Sequence, residues 1–525
     1  MKQISRSLII AGLLVISLYH YSAAQNWEKV ADKGFGDAGN DYAWSMATFR
    51  GKLYVGTLNG MKGAQIWCSS SGEPDTWKRV YHSTPFANSG IRCLYADGNQ
   101  ALYAGTYSIH GGEILRTTNG RVWVPVGRSG LEDRRNNSIR CMVRFGEYLY
   151  AGTGSSEFQN NLTMQNRQGR YQPFQSYGAQ LYRSKNGFTW ELVETEPDFR
   201  STKVFDTEKN TLVTNNVSIG ELEIFDNMLY AFTWTMDITL QSGGSISNMA
   251  EDMLNGNFKP NFPDSTGAFE VWRSSDGVSW ENVVGKDDPY GNGMGFSLKD
   301  PDPDSLKNDA VTSVAVYHEK LYLGTQNPTG KTAVWRTAEG TQWEKVVDFY
   351  QLGENFNFYI WRMIPFMDNL FIGTMNMGYI GTTGVTGSQI WVYHSDDTDN
   401  AFYNLDHNGF DGETIYMGDE KMPKNYGVRT FGILNDTLFA GTATMLSVPT
   451  SKPGEKGSMT IAGKDVGCEI WELVLSGSGD SEDLSSTSTS IMIEKSAAQP
   501  LKRDNNKLKL MEDFGMPALM YFSSF

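Results

Sequence analysis

The sequence predicts an all-β chain, a seven-bladed β-propeller closed by an N-terminal outer strand paired into the last blade. Three observations predict it. A hairpin phrase recurs, as "VWRSSDGVSWENVV" (271–284), "LYRSKNGFTWELV" from Leu181, "ILRTTNGRVWVPV" from Ile114 and "VWRTAEGTQWEKVV" from Val334. A second apolar phrase precedes the hairpin in seven places, ending at Thr57, Thr106, Thr153, Thr233, Thr325, Thr374 and Thr442. The last unit lacks its outer strand, and the missing piece, "WEKV" at 27–30, stands at the other end of the chain.

Before that piece, residues 1–24 read as a secretory signal: Lys2 and Arg6, an apolar run from Leu8 to Leu18, then the small residues Ser22-Ala23-Ala24. The run is too short to span a bilayer, and no later apolar run approaches 18 residues. The expectation is therefore a secreted, extracellular or cell-surface protein without membrane insertion. The formal charge is −15, and loss of Lys2 and Arg6 with the signal takes it to −17. A surface so acidic repels phosphate backbones, which excludes nucleic acid as an expected partner. Four cysteines are too few for a disulfide scaffold in a large exported chain, and no pairing is assigned. Asn136, Asn161, Asn216 and Asn435 each head an Asn-x-Ser/Thr triplet.

Residues 25–474 are expected to hold the repeats. Each reads as four short strands, and Asp-Gly or Asn-Gly marks the tight turn because Gly accepts a positive φ. Outer strands are expected from Trp27, Trp77, Trp123, Trp190, Trp280, Trp343 and, in degenerate form, Phe402. Pairing Trp27–Val30 into the last unit removes an exposed edge. Residues 475–525 are read as a low-complexity linker, with the polar string "SGSGDSEDLSSTSTS" from Ser476, followed by a tail without repeats.

The Ser-x-Asp-Gly-x-x-Trp turn, Ser274, Asp276, Gly277 and Trp280, resembles the Asp-box, or BNR repeat, of sialidase-type propellers. The resemblance spans 27–473 and implies an architecture shared by enzymes and binding proteins. It also implies that these turn residues are structural and remote from any active site. This version is one residue shorter between Asp and Gly than the usual box. The enzymes of that family have six blades and an early Arg-Ile-Pro motif. Here the nearest string is Arg362-Met363-Ile364-Pro365, in the sixth repeat. Glu221, Glu223, Tyr359 and Tyr426 are candidate catalytic members, but nothing in their spacing selects them.

Long insertions fall between second and third strands (154–177, 234–266, 375–387, 443–466) and between repeats (194–215, 285–307, 404–424). In a propeller these share one face, so a ligand is expected there, at the mouth of the central channel. A short helix is expected at 247–255, stopped by Gly256. Asn40, Asn88, Asn136, Asn216, Asn308, Asn357 and Asn425 open the first strands in an Asn-x-x-apolar spacing. Their sevenfold repetition suits a backbone-bonding scaffold better than chemistry.

One position beyond the apolar residue the repeats diverge: Trp44, Arg92, Arg140, Gly220, Thr312, Trp361 and Arg429. Arginine binds a carboxylate bidentately and indole stacks on a sugar or ring, so Trp44, Arg92, Arg140, Trp361 and Arg429 are the candidate ligand-binding residues. The structural alternative has each arginine paired with a neighbouring acid or filling the channel wall. Asp300, Asp302 and Asp304 form a candidate calcium loop, but two prolines stiffen it and the usual Gly is absent. A solvated acidic loop is the preferred reading, and no cofactor is called for beyond a structural calcium there. His82, His110 and His407 share no zinc-like spacing.

The expected function is that of a binding or interaction protein, taking a glycan, with an acidic glycan as a candidate, or a cell-surface protein, and acting as a monomer. The alternative is a carbohydrate-active enzyme, a glycoside hydrolase or polysaccharide lyase acting on acidic sugars.

Overall fold

A computed structural model describes residues 27–108, 110–155, 178–200, 203–206, 211–214, 216–235, 239–241, 259–261, 268–300, 302, 308–327, 330–354, 356–376, 386–394, 401–417, 420–444 and 466–474. The expected signal segment, the helix at 247–255, Asp304 and everything from 475 lie outside the described residues.

The first strands of the seven repeats are Tyr42–Phe49, Gly90–Asp97, Ser138–Phe145, Ser218–Phe225, Ala310–Tyr317, Asn357–Phe366 and Asn425–Leu434. Each pairs antiparallel with its second strand, which carries the phrase ending in Thr, and the third and fourth strands follow outward. The N-terminal strand Trp27–Ala31 pairs with Ile470–Leu473, Trp27 opposite Leu473 and Lys29 opposite Trp471.

The structure corrects the fold class. The inner strands of neighbouring repeats are themselves hydrogen-bonded, one residue pair at each junction. Leu58 faces Gly90, Tyr107 faces Ser138, Gly154 faces Ser218, and Ala443 faces Tyr42 to close the circuit. The result is a closed 14-stranded barrel with 14 further strands outside it, in place of a seven-bladed propeller. The reason is physical: where strands converge on an axis, second and first strands of successive repeats come within bonding distance. A repeat in the sequence counts strands without saying which edges meet.

The recurring residues have visible jobs. In the turn after Val271–Ser274, the Gly277 N–H donates to Ser274 Oγ at 2.8 Å, and Val278 and Ser279 N–H donate to Asp276 Oδ1 at 2.8 and 2.7 Å. Gly277 sits at φ +76°, and a Cβ there would lie 2.1 Å from Tyr150 Oη of the preceding repeat. Gly120 meets Tyr54, Gly187 meets Tyr103 and Gly340 meets Tyr230 in the same way. Tyrosine of the Leu-Tyr phrase thus packs against the turn glycine of the next repeat at these four junctions.

The asparagine ring is scaffold. All seven side chains are buried. Asn136 Nδ2 donates to Gly130 O at 2.9 Å and to Gln180 Oε1 at 2.5 Å, while Thr153 Oγ1 donates to its Oδ1 at 3.0 Å. Asn216 bonds Phe199 O and Glu270, and Asn425 bonds Gly409 O and Glu469, in the same pattern. These bonds satisfy backbone groups that the chain would otherwise bury unpaired.

Candidate functional site

Every first strand carries a β-bulge at the position where the repeats diverge. The register slips between Ala43 and Ser45, Ile91 and Cys93, Ile139 and Cys141, Ile219 and Glu221, Val311 and Ser313, Ile360 and Arg362, and Val428 and Thr430. A bulged residue leaves the ladder and its side chain is re-aimed. Here seven bulges bring Trp44, Arg92, Arg140, Gly220, Thr312, Trp361 and Arg429 to the wall of one central cavity of about 260 Å³.

The residue after the bulge often caps the next repeat. Ser45 Oγ donates to Ile91 O at 2.9 Å, Cys93 Sγ to Ile139 O at 3.6 Å and Cys141 Sγ to Ile219 O at 3.5 Å. Cys93 and Cys141 therefore stand in a hydroxyl's place, and all four cysteines are free thiols.

All five predicted ligand residues meet in this cavity. They form a ladder of alternating cations and indoles. The Arg429 guanidinium lies 5.0 Å from the Trp361 ring and 5.8 Å from Trp44, and Arg92 lies 4.9 Å from Trp44. Arg92 is also 5.8 Å from Trp234, and Arg140 is 3.9 Å from Trp234. Such contacts hold a desolvated cation without neutralising it.

The acid-paired form of the structural alternative is absent among the described residues. None of Arg92, Arg140 and Arg429 has a carboxylate within ion-pair distance, and Arg92 Nη1, Arg140 Nε and Arg429 Nε are buried without a hydrogen-bond partner. Arg429 is buried, Arg92 and Arg140 are half-buried, and all three line the cavity. Burial brings the Arg92 guanidinium down to about 10. Burial, and then the charges of Arg92 and Arg429, push Arg140 well below the ordinary arginine range. Arg429 is lowered first by burial and then by Arg92. The cluster concentrates positive charge inside an acidic protein, with Glu221 the carboxylate whose charge acts on all three.

Glu221 enters the cavity beside Gly220, where a Cβ would lie 2.8 Å from Val311 O of the next repeat. It pairs with Arg362 across the opening, Nη1 to Oε1 at 3.1 Å. Glu223, two residues on, lines the same space, and burial raises its carboxyl above the usual range. Tyr359 and Tyr426 lie apart, in the aromatic layer above the arginines.

That layer bears on where a ligand would enter. At the long-loop end, Tyr42, Phe358, Tyr359 and Tyr426 are each 2% exposed or less, and Ile415, Met422 and Val466 pack over them. The Tyr42 and Tyr426 hydroxyls are hydrogen-bonded to each other. The sequence placed the ligand at that mouth. Among the described residues it is filled, and the cavity instead runs along the first strands past Glu221 to Tyr95, Glu223 and Val314, toward the short-turn end.

Sequence reasoning also missed Trp234. It closes the second strand Met228–Trp234 at a column that reads Leu58, Tyr107, Gly154, Trp234, Gln326, Met375 and Ala443 in the seven repeats. Comparing that column as the bulge column was compared would have found it. The acidic loop is accounted for by lysines: Asp300 pairs with Lys345 at 2.5 Å and Asp302 with Lys331 at 2.8 Å. Asp411, Glu413 and Glu469 form a group of three carboxylates, but the Lys29 and Lys424 ammonium groups sit among them. His82, His110 and His407 join no such group among the described residues.

No protein-family model matches this sequence, and no characterised protein matches it in sequence. Among solved structures the chain is similar to the phage phi92 endosialidase, at 11% identity over 88% of this chain and 71% of that one, with a TM-score of 0.41. It is similar to Sqt1 of Saccharomyces cerevisiae, at 11% identity over 86% and 99% of the two chains, with a TM-score of 0.38. It is also similar to the Trypanosoma rangeli sialidase in complex with sialic acid, at 10% identity over 83% of this chain and 55% of that one, with a TM-score of 0.33.

Proposed function

We propose that the protein is a secreted or cell-surface binding protein whose central cavity takes a small carboxylated ligand, an acidic sugar. The observation that carries this is the set of three guanidiniums, Arg92, Arg140 and Arg429, that share one cavity with no carboxylate partner among the described residues. Buried cations without counter-charge are costly, and an anion bridging them removes that cost while making charge-assisted hydrogen bonds. Trp44, Trp234 and Trp361 supply apolar faces for a sugar ring. A volume of about 260 Å³ suits a monosaccharide-sized group better than a polymer segment. Titration calorimetry with glucuronate and sialate against neutral glucose tests this. Heat of binding from the two acids alone supports the reading, and equal behaviour of all three sugars overturns it.

A second reading, a carbohydrate-active enzyme, is favoured by one observation: the carboxyls of Glu221 and Glu223 line the arginine cavity. Two carboxyl groups beside a bound sugar are what glycoside chemistry requires. Release of reducing ends from acidic oligosaccharides, lost in Glu223→Gln, would establish it.

A further inference from the structure

Between the arginine cluster and the short-turn end, the Glu221–Arg362 pair lies across the cavity. Its two strands, Ser218–Phe225 and Asn357–Phe366, belong to the fourth and sixth repeats, so the contact reaches past the fifth. The fifth repeat leaves the space by placing small side chains there. Thr312 Oγ1 is engaged with Ile360 O at 2.6 Å, and Ser313 Oγ accepts the Met363 N–H at 2.7 Å. The bar is a single contact, Arg362 through Nη1 alone, with side-chain exposures of 41% for Arg362 and 19% for Glu221. It is therefore partly wet and separable, unlike the arginines above it.

We propose that Glu221 is a specificity-determining residue, a charge filter that admits an anion with one negative end and an uncharged polar body. The inference rests on the anion-binding reading. A ligand whose carboxylate reaches Arg92, Arg140 and Arg429 must lay its remaining length against Glu221. A hydroxyl there donates to the Glu221 carboxylate. A second carboxylate meets like charge in a half-buried space, where repulsion is screened less than in open water. Arg362 holds Glu221 in position and lends a neutralising charge. The favoured class is thus a polyhydroxylated monocarboxylate, a uronic or similar sugar acid, and dicarboxylates are rejected.

The test is titration calorimetry of the full chain with glucuronate and with glutarate, using wild type, Glu221→Gln and Arg362→Gln. Wild type is expected to favour glucuronate by about tenfold or more, and Glu221→Gln to narrow that preference by about tenfold through tighter glutarate binding. Arg362→Gln, which leaves the Glu221 charge unopposed, is expected to widen it. Should Glu221→Gln fail to fold, the Arg362→Gln shift alone carries the decision. A wild-type protein that binds glutarate as well as glucuronate overturns the filter while leaving the anion site standing, as does an unchanged ratio in both variants. No heat with either acid overturns the anion site itself and the filter with it.

Discussion

The Arg140 guanidinium carbon stands 3.9 Å from the centre of the Trp234 ring, yet Arg140 Nε has no hydrogen-bond partner. The arginine comes from a bulge in the third repeat and the indole from the end of a second strand in the fourth. The contact orders the cation without discharging it. Replacing Trp234 by Leu should therefore leave the charge in place but loosen its aim. Ligand affinity should fall by about 0.5–2 kcal/mol, the range of a desolvated cation–π contact, with the fold retained. Calorimetry alongside circular dichroism reads both quantities.

The turn glycines belong to the scaffold. Gly277→Val places a β-branched residue at φ +76° and drives its Cβ into Tyr150 Oη. A loss of about 1–3 kcal/mol of stability is expected from backbone strain alone. The folded fraction should bind ligand normally, since the turn lies at the rim of the repeat. Denaturant melts and a binding titration at matched folded concentration check this. Selective loss of binding would move the site outward.

Asp276 gives the scaffold an acid-sensitive element. Its carboxylate accepts the Val278 and Ser279 N–H groups, which hold it at about 2. That lies below the unfolded value of about 3.9, so the stabilisation is complete above that pH and fades as pH falls toward 2. Asn119 and Asn186 make the same bonds in other repeats without ionising. Asp276→Asn should thus change the melting temperature little at pH 7 and lose less of it between pH 5 and 3. Melting curves across that range decide the point.

The N-terminal strand closes the last repeat. Deleting 25–30 removes Trp27, which faces Leu473, and Lys29, which lies 2.7 Å from Asp411 and 3.0 Å from the buried Glu469. It also bares the edge of Ile470–Leu473. A lower melting temperature and concentration-dependent association through that edge are expected. Light scattering and calorimetry of the truncated chain test it, and an unchanged, monomeric protein would count against the closure.

Much of this was legible beforehand, and the limits are instructive. The displaced "WEKV" announced its pairing because a missing outer strand and a spare one are complementary facts. The divergent column of Trp44, Arg92, Arg140, Trp361 and Arg429 stood out because a scaffold position has no reason to vary. What made it converge, a bulge in all seven first strands, leaves no trace in residue type. The bonds between repeats were equally hidden, since Leu58 and Gly90 or Tyr107 and Ser138 say nothing of being neighbours. Long loops suggested an open mouth, but among the described residues Tyr42, Tyr359 and Tyr426 fill that end. Apolar layers above a polar ring look alike in sequence whether they line an opening or seal it.

The central claim is that Arg92, Arg140 and Arg429 are held for an anion and not for the fold. It is tested most directly by measuring glucuronate affinity and melting temperature together in Arg92→Ala and Arg140→Ala. The account predicts a binding loss of about 1.5–3 kcal/mol for each charge-assisted contact removed, partly recovered by lysine, which restores charge without the planar fork. It also predicts an unchanged or higher melting temperature, because each substitution relieves repulsion among buried cations. Unaltered glucuronate affinity with a lowered melting temperature would contradict it and make the arginines structural.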